Sequence, residues 1–530
     1  MPFVNLIFAA GPILLLIFWM TKKQPVPSAK ALPLAALVAY LIAFTWFSQD
    51  SQLIHASVIS GLLVALTPIL IVWSAVFFFH TMEATGAMAT IHSWLNHLSG
   101  NRVAQVVIIA WSFQFLIEGA SGFGTPAALA GPLLVGLGFP ALRVAAACLI
   151  LNTVPVSFGA VGTPVWFGFG QLGLTPEELR EVAWKTSLIH TVAASIIPLF
   201  ALRLLLGWQE IKKNSLFIYL AIGASVIPMF LFSLINSEFP SVVGGLIGLL
   251  TTVWLASRGV GLTQEKEILG EQPTARAVTK ALFPLWATVL ILLITRIPQL
   301  GIRGYLSASE PAWHLPLGNM GDFAVSQSLV ISLTNILGTQ TSWDHPLLFV
   351  PSFIPFILVA LLSIPVLGAS WDIPLKVWRE STQRIRRQAY ALLGALVLVK
   401  LLMMGDASSP VMIIGHHLSL IAGSSWPAFA SYLGSLGSFF AGSSTISNLT
   451  FGPIQQDIAK ELHLNQTTIL ALQSVGGAMG NMIAIHNIVA VSSVLNIANQ
   501  EGAILRKTIL PMFLYGLIAA LTGGLIFAFS

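Results

Sequence analysis

Apolar residues along this chain come in long runs. A helix rises about 1.5 Å per residue, so crossing roughly 30 Å of hydrocarbon takes about 20 mostly apolar residues. Runs of that order occupy 3–20, 32–47, 58–82, 182–206, 215–234, 239–256, 280–297, 346–370, 387–404 and 508–529. Two more, 142–172 and 467–497, are apolar but interrupted. The first carries Pro155, Gly159, Gly162 and Pro164; the second carries Gly476, Gly477 and Gly480, then the polar Asn481, His486 and Asn487. Each predicts a helix broken in mid-membrane. Unwound backbone at that depth survives only where protein buries it or where it lines a wet cavity.

Ahead of each interrupted run lies a segment that starts apolar, turns at small polar residues and becomes apolar again. The segment 103–138 turns at Gly119-Ala-Ser-Gly-Phe-Gly-Thr-Pro126, and 425–455 turns at Gly442-Ser-Ser-Thr-Ile-Ser-Asn448. Neither arm of either segment makes a comfortable full span, which predicts two re-entrant hairpins. The fold class expected is therefore an all-α polytopic membrane protein of about 12 spans, two of them broken, plus the two hairpins.

Composition agrees. The 530 residues are 56% hydrophobic and 8% charged, against about 25% charged in ordinary globular proteins. So few charges could not cover a soluble fold of this length. A net charge of +5, scattered along the chain, gives no footprint for nucleic acid. With Cys148 alone, no intrachain disulfide can form, and no thiolate–metal cluster is indicated. The segment Pro2–Met20 lacks a basic n-region and reads as the first span, so residues 1–530 are expected to form a single integral membrane protein.

Loop charges set an orientation. Lys22, Lys23 and Lys30, the segment 203–213, the loop 371–388 and the loop ending in Arg506-Lys507 are basic and predicted inside. The loops 48–57 and 173–181 carry acidic residues and are predicted outside. Both termini then lie outside, with the first hairpin entering from the cytoplasm and the second from the other face.

The two hairpin-plus-broken-helix regions are also related. A shift of 321 residues maps Gly131, Pro132, Asn152, Val154 and Gly159 onto Gly452, Pro453, Gln473, Val475 and Gly480. An odd number of spans separates the hairpins, so the repeats are expected to be inverted, a recurring plan of secondary transporters with binding at the breaks. Residues 83–172 and 405–497 are the expected halves of a transport domain. Helix packing alone explains one Gly-rich motif; two related pairs in opposite orientation favour binding.

The stretches Glu118-Gly-Ala-Ser-Gly-Phe-Gly-Thr-Pro126, Leu133-Leu-Val-Gly-Leu-Gly-Phe139 and Leu151-Asn-Thr-Val-Pro-Val-Ser-Phe-Gly-Ala-Val-Gly-Thr-Pro164 resemble the L-lactate permease family. So do Gly442–Asn448 and Gly476-Gly-Ala-Met-Gly-Asn-Met-Ile483. The resemblance implies a bacterial inner-membrane, proton-coupled symporter of small 2-hydroxymonocarboxylates such as lactate and glycolate. It also implies kinship with the ion-transporter superfamily and elevator-type alternating access. The family's pattern carries Asp where this chain has Ser444, Lys where it has Asn481, and Ser-Pro-Gln where it has Ala484-Ile485-His486. These departures bear on which acid is carried more than on the transporter class.

A proton-coupled carrier needs a group that titrates, and an ionisable residue inside a span is a functional suspect. Glu118 ends the apolar run Phe113-Gln-Phe-Leu-Ile117 at the first tip. Leaving water penalises its ionised form, which suits it to carry a proton; the bland alternative is a carboxylate that satisfies tip amides. His486 beside the second break could titrate or donate, or simply pack. Lys400 and Asp406 flank the outer end of the span 387–404. Lys400 could attract an anion, though snorkelling to the interface is the plainer reading; Asp406 is a further proton-coupling candidate. Arg143 reads as a positive-inside residue, and His190, His416 and His417 as packing or loop residues. The neutral donors expected to build the substrate site are Ser121, Gly122, Thr125, Asn152, Ser157, Ser443, Ser444, Thr445, Asn448, Gln473, Ser474, Asn481 and Asn487. His92 and His97 lack metal-ligand spacing, so no metal site or cofactor is expected, nor a P-loop. The partners expected are a small carboxylate, a coupling proton and lipid. An enzyme is disfavoured because no nucleophile motif is present. A channel is disfavoured by the inverted repeats. The nearest rival is a sodium-coupled symporter of another short carboxylate.

Overall fold

The computed structural model describes residues 2–22, 26–96, 99–122, 125–263, 273–296, 300–350, 353–405, 408–497 and 500–529. The chain is mostly helical and divides into two compact units. One comprises Met1–Ala89 and Ala275–His417, the other Thr90–Thr274 and Leu418–Ser530.

In the first unit, Ser51–Val64 and Leu66–Ala84 join into an apolar rod of 34 residues. It starts ahead of the expected 58–82 run because Asp50 caps it, its carboxylate accepting from the Leu53 amide at 3.0 Å. The helix Ile373–Met403 likewise runs through the stretch 371–388 that charge alone assigns to a loop. Buried Val377, Ser381, Ile385, Leu392, Leu396 and Val399 recur at helical spacing along it, while Lys376, Arg379, Arg386 and Arg387 stay exposed.

This unit also corrects the all-α expectation. Strands β1 (Pro311–Pro316), β2 (Asp322–Ser326), β3 (Val330–Thr334) and β4 (Trp343–Pro346) form an antiparallel meander in the order β1-β2-β3-β4. Leu315 pairs with Phe323, Phe323 with Leu333 and Leu333 with Trp343. Runs as short as Val330-Ile-Ser-Leu-Thr334 fall far below span length, yet they suffice for strands with β-branched and aromatic cross-strand neighbours.

In the second unit, Pro176–Ala194 begins at a capping box. Thr175 Oγ1 accepts from the Glu178 amide, and the Glu178 carboxylate accepts from the Thr175 amide at 2.7 Å. The expected straight span 182–206 is instead two helices, Pro176–Ala194 and Ile197–Leu205, bent by 43°. Pro198 sits in the first turn of the second helix, where its missing N–H costs nothing. Among the described residues of the whole chain, five helices are long and apolar enough to cross a membrane, or seven if each bent pair counts as one span.

Candidate functional site

Both hairpins and both broken helices lie inside the second unit. The first hairpin runs up through Arg102–Val107, a π-helical turn Ile108–Phe113 and Gln114–Ser121, reverses after Gly122, and returns as Thr125–Gly136. Its first arm, Arg102–Ala120, is long enough to cross by itself and almost wholly buried, unlike the short arm expected. Glycines permit that burial. A Cβ on Gly119 would meet the Ser241 carbonyl carbon at 2.6 Å, and one on Gly245 would meet Leu116 Cα at 2.5 Å. The arm therefore lies backbone to backbone against helix Pro240–Ser257. At the tip, Gly122 takes φ 61°, ψ −156°, a region open to glycine alone.

The broken helix beside it runs Ala141–Leu151, a 3₁₀ turn Val154–Phe158, then Gly159–Trp166, with a 47° bend. Three successive residues, Ala160, Val161 and Gly162, are left-handed, at φ 45°, 57° and 70°. Left-handed backbone at a β-branched residue is strained, by roughly 1–3 kcal/mol per non-Gly residue, and persists only when its surroundings dictate it. Here Thr163 Oγ1 donates to the Ala160 carbonyl at 2.5 Å and Trp166 Nε1 to the Val161 carbonyl at 2.9 Å. A Cβ on Gly162 would strike the Ser237 carbonyl oxygen at 2.3 Å, so the turn is wedged in place.

The second hairpin consists of Pro427–Ala441, a left-handed Gly442, and Ser444–Glu461. Ser443 caps the returning arm, its side chain accepting from the Ile446 amide. The partner helix Gln466–Asn481 breaks at Met482–Ala484 and resumes as Ile485–Val494. The break falls after the glycines rather than at them. Gly476 and Gly480 sit within the helix, where a Cβ would lie 2.1 Å from the Ser431 carbonyl oxygen and 2.4 Å from that of Ser435. They bring Gln466–Asn481 close against the first arm of the hairpin, the small-residue packing found between membrane helices.

These elements converge on a small cavity of about 20 Å³, room for one water molecule. Its walls are Glu118 and Gly122 of the first tip, Ser443, Ser444 and Thr445 of the second, Val156, Gly159, Ala160 and Pro164 of the first break, and Asn481 of the second helix. Glu118 is 2% exposed and, among the described residues, is the one ionisable group in the wall. Its Oε2 accepts from Asn152 Nδ2 at 2.8 Å. A Cβ on Gly159 would lie 2.5 Å from Glu118 Oε1, so only glycine leaves room for that carboxylate. The same cavity is lined by hydroxyl groups at the first turn of an 18-residue helix, Ser444–Glu461, whose N-terminal dipole favours an anion.

Residues 5–529 match the family model for L-lactate permease. The chain belongs to the L-lactate permease family. It is thus a membrane transporter rather than an enzyme. A Haemophilus influenzae protein provisionally named an L-lactate permease is 47% identical over 519 residues, covering 98% of each chain. The Bacillus subtilis L-lactate permease is 27% identical, covering 92% of this chain and 89% of its own. The Escherichia coli glycolate permease GlcA is 26% identical, covering 89% of this chain and 87% of its own.

Within the permease, the predicted site residues separate into groups. Glu118, Gly122, Ser443, Ser444, Thr445 and Asn481 line the cavity. Asn152 orients Glu118. Asn448 and Gln473 brace the walls: Asn448 Nδ2 donates to the Pro164 carbonyl at 2.8 Å, and Gln473 Nε2 donates to Ser447 Oγ at 3.1 Å. Asn487 Nδ2 donates to the Asn481 side chain and to its carbonyl. Lys400 belongs to the other unit, on helix Ile373–Met403. Asp406 lies outside the described residues, as do the side chains of Ser121, Thr125 and His486.

Ser157 and Ser474 enter a buried chain that composition does not reveal. Ser474 Oγ donates to Ser157 Oγ at 3.1 Å, Ser157 Oγ is 2.8 Å from His190 Nε2, and His190 Nδ1 is 2.5 Å from the Tyr515 hydroxyl. His190 thus ties the first break to the last helix, a larger part than packing. Lys185 is another residue missed. It is 1% exposed and donates to Asn465, Thr467 and Thr468, each at 2.9 Å, while pairing with Glu181 at 2.6 Å. Buried Asp457 on the returning arm of the second hairpin was also passed over. For His190 and Lys185 the available signal was an ionisable side chain inside a bent helix pair apolar enough to cross a membrane; the polar helix around Asp457 carried no such signal.

Proposed function

We propose that this protein carries a small 2-hydroxymonocarboxylate, L-lactate, D-lactate or glycolate, across the bacterial inner membrane in symport with a proton. The observation that carries the reading is the cavity between the two hairpin tips, in which, among the described residues, Glu118 is the one ionisable wall group and the other polar side chains are neutral. A substrate carboxylate entering this space would meet an ionised Glu118. Two charges about 4 Å apart at an effective dielectric of 20 repel by about 4 kcal/mol, or about three powers of ten in occupancy. Anion and proton therefore enter together, the proton on the Glu118 carboxylate. The hydroxyls of Ser443, Ser444 and Thr445 with the amide of Asn481 offer donors and acceptors for a carboxylate and an adjacent hydroxyl.

A cavity that holds one water is too small for a hydroxy acid, so the tips must part to admit it. Elevator-type alternating access fits this arrangement, with residues 83–172 and 405–497, most of which lie in the unit holding both hairpins, as the two halves of the moving body. The names of the relatives support lactate and glycolate as the substrates to try first.

The test is uptake of labelled L-lactate and glycolate into proteoliposomes under an imposed inward proton gradient, beside Glu118→Gln. Gradient-driven uptake that the variant loses, with exchange retained, is expected. Uptake that needs sodium and stops in choline would overturn proton coupling. Unaltered coupling in the variant would remove Glu118 from its role.

A further inference from the structure

In the first unit, helices Ser28–Thr45 and Ser51–Val64 both pack on Ile373–Met403. Gly394 lets Ser28–Thr45 approach closely: a Cβ there would lie 2.4 Å from the Pro33 nitrogen. Gly61 does the same for Ser51–Val64, where a Cβ would lie 2.7 Å from Val397 Cα. The two upper helices scarcely touch each other, so a trough of about 640 Å³ opens between them, floored by the third. Leu37 and Leu62 are exposed along its walls, and Val397 lies on its floor. One end is bridged, where the Tyr40 hydroxyl lies 3.0 Å from His55 Nε2. Tyr390 lies on the floor at the opposite end, half-exposed.

That open end is basic, by helix geometry. Residues three, four and seven apart share a helix face. Arg386 and Arg387 stand four and three residues before Tyr390, and Arg387 seven before Gly394, so both lead onto the trough floor. Lys30 stands three residues before Pro33 and seven before Leu37, so it leads onto one wall. Lys30, Arg386 and Arg387 are all exposed. An apolar slot closed by a polar bridge at one end and ringed by three cations at the other matches a lipid with a negatively charged headgroup. Between Pro33 and Tyr40 the helix rises roughly 10 Å, a stretch that takes part of one acyl chain lying along it.

We infer that this trough is a binding site for an anionic phospholipid, one acyl chain in the slot and the phosphate held by Lys30, Arg386 and Arg387. Lipid tails are as apolar as the slot, so the slot alone selects nothing over the surrounding bilayer. Selection resides in the cations, and each one lost should weaken preference for the anionic lipid roughly fivefold. The inference is independent of the substrate and of proton coupling.

The full chain is placed in phosphatidylcholine nanodiscs containing a minor fraction of chain-labelled phosphatidylglycerol, and the immobilised label is measured. Wild type should immobilise phosphatidylglycerol in preference to labelled phosphatidylcholine. Lys30→Gln/Arg386→Gln/Arg387→Gln should erase that preference, and Leu37→Trp, with the cations intact, should reduce the immobilised chain. Equal immobilisation of the two lipids by wild type would overturn the inference without any variant. So would unchanged preference in the triple variant. So would Leu37→Cys or Leu62→Cys chains that cross-link to each other in membranes, since a second copy would then fill the trough.

Discussion

The two broken helices of the permease reach the same cavity by different physics. The first turns through three left-handed residues, Ala160, Val161 and Gly162, beside a buried carboxylate. The second breaks at Met482–Ala484 with Met482 in ordinary right-handed backbone, φ −69° and ψ −20°, and its described wall residues are neutral. Strain, and the ionisable group of the described cavity wall, thus fall in the first half, while the buried Asp457 of the second half is not among the residues lining the cavity. The second half supplies close glycine packing and a capped helix N-terminus. Two regions related by a sequence shift need not divide the labour evenly: under the proposed mechanism one would hold the group that takes the proton and the other the surface that receives the anion.

The largest effect is expected at the charge itself. Glu118→Gln keeps the hydrogen bond to Asn152 within reach but cannot lose or gain a proton. Proton-driven uptake should fall by up to about three powers of ten, and transport in exchange mode should become independent of pH. A flux assay across pH 5–8 reads both. If exchange retained the wild-type pH profile, the asymmetry between the halves would be lost.

Glycine substitutions separate function from packing. Gly159→Ala pushes on the Glu118 carboxylate, so transport should drop at least tenfold while thermal stability changes little, the obstacle being a side-chain end. Gly476→Ala instead forces two backbones apart, with an expected loss of about 1–3 kcal/mol of stability. Scanning fluorimetry on the detergent-solubilised protein, paired with uptake, distinguishes the two. Equal loss of stability in both would show that Gly159 too is only a packing residue.

A smaller effect tests the strain. Ala160→Gly relieves a left-handed alanine and should raise stability by up to about 1 kcal/mol. Met482→Gly relieves nothing, adds chain entropy and empties the space of a fully buried side chain, so it should lower stability by about 2–5 kcal/mol. Opposite shifts in melting temperature are the expected result. The smallest change is at Tyr515→Phe, which removes the hydroxyl from His190 and should cost about 1 kcal/mol with proton coupling intact. A shifted coupling profile there would move His190 into the proton pathway.

Much of the site was legible in the chain because membrane physics is severe. The apolar runs, both hairpin tips, both interruptions and the suspicion of Glu118 follow from the cost of unpaired backbone and charge in hydrocarbon. A membrane span announces itself by length and polarity alone, and so does a carboxylate out of place within it. The short strands β1–β4 did not, since runs of four to six residues carry little signal. Nor did the helix through Lys376–Arg387, whose buried stripe was hidden by its charges.

Tertiary structure decided what each small or polar residue is for. Gly159 and Gly476 are the same residue in similar surroundings. Yet one clears space for a carboxylate and the other for a neighbouring backbone carbonyl, and no local pattern separates them. Ser157 at the first break and Ser443 at the second tip are likewise both serines where helices are interrupted, but His190, 33 residues away along the chain, engages the first, while the second caps a helix at the cavity wall. Polarity and length are properties of a segment and can be read from it. Partners are set by which segments meet, and that is fixed only when the chain folds.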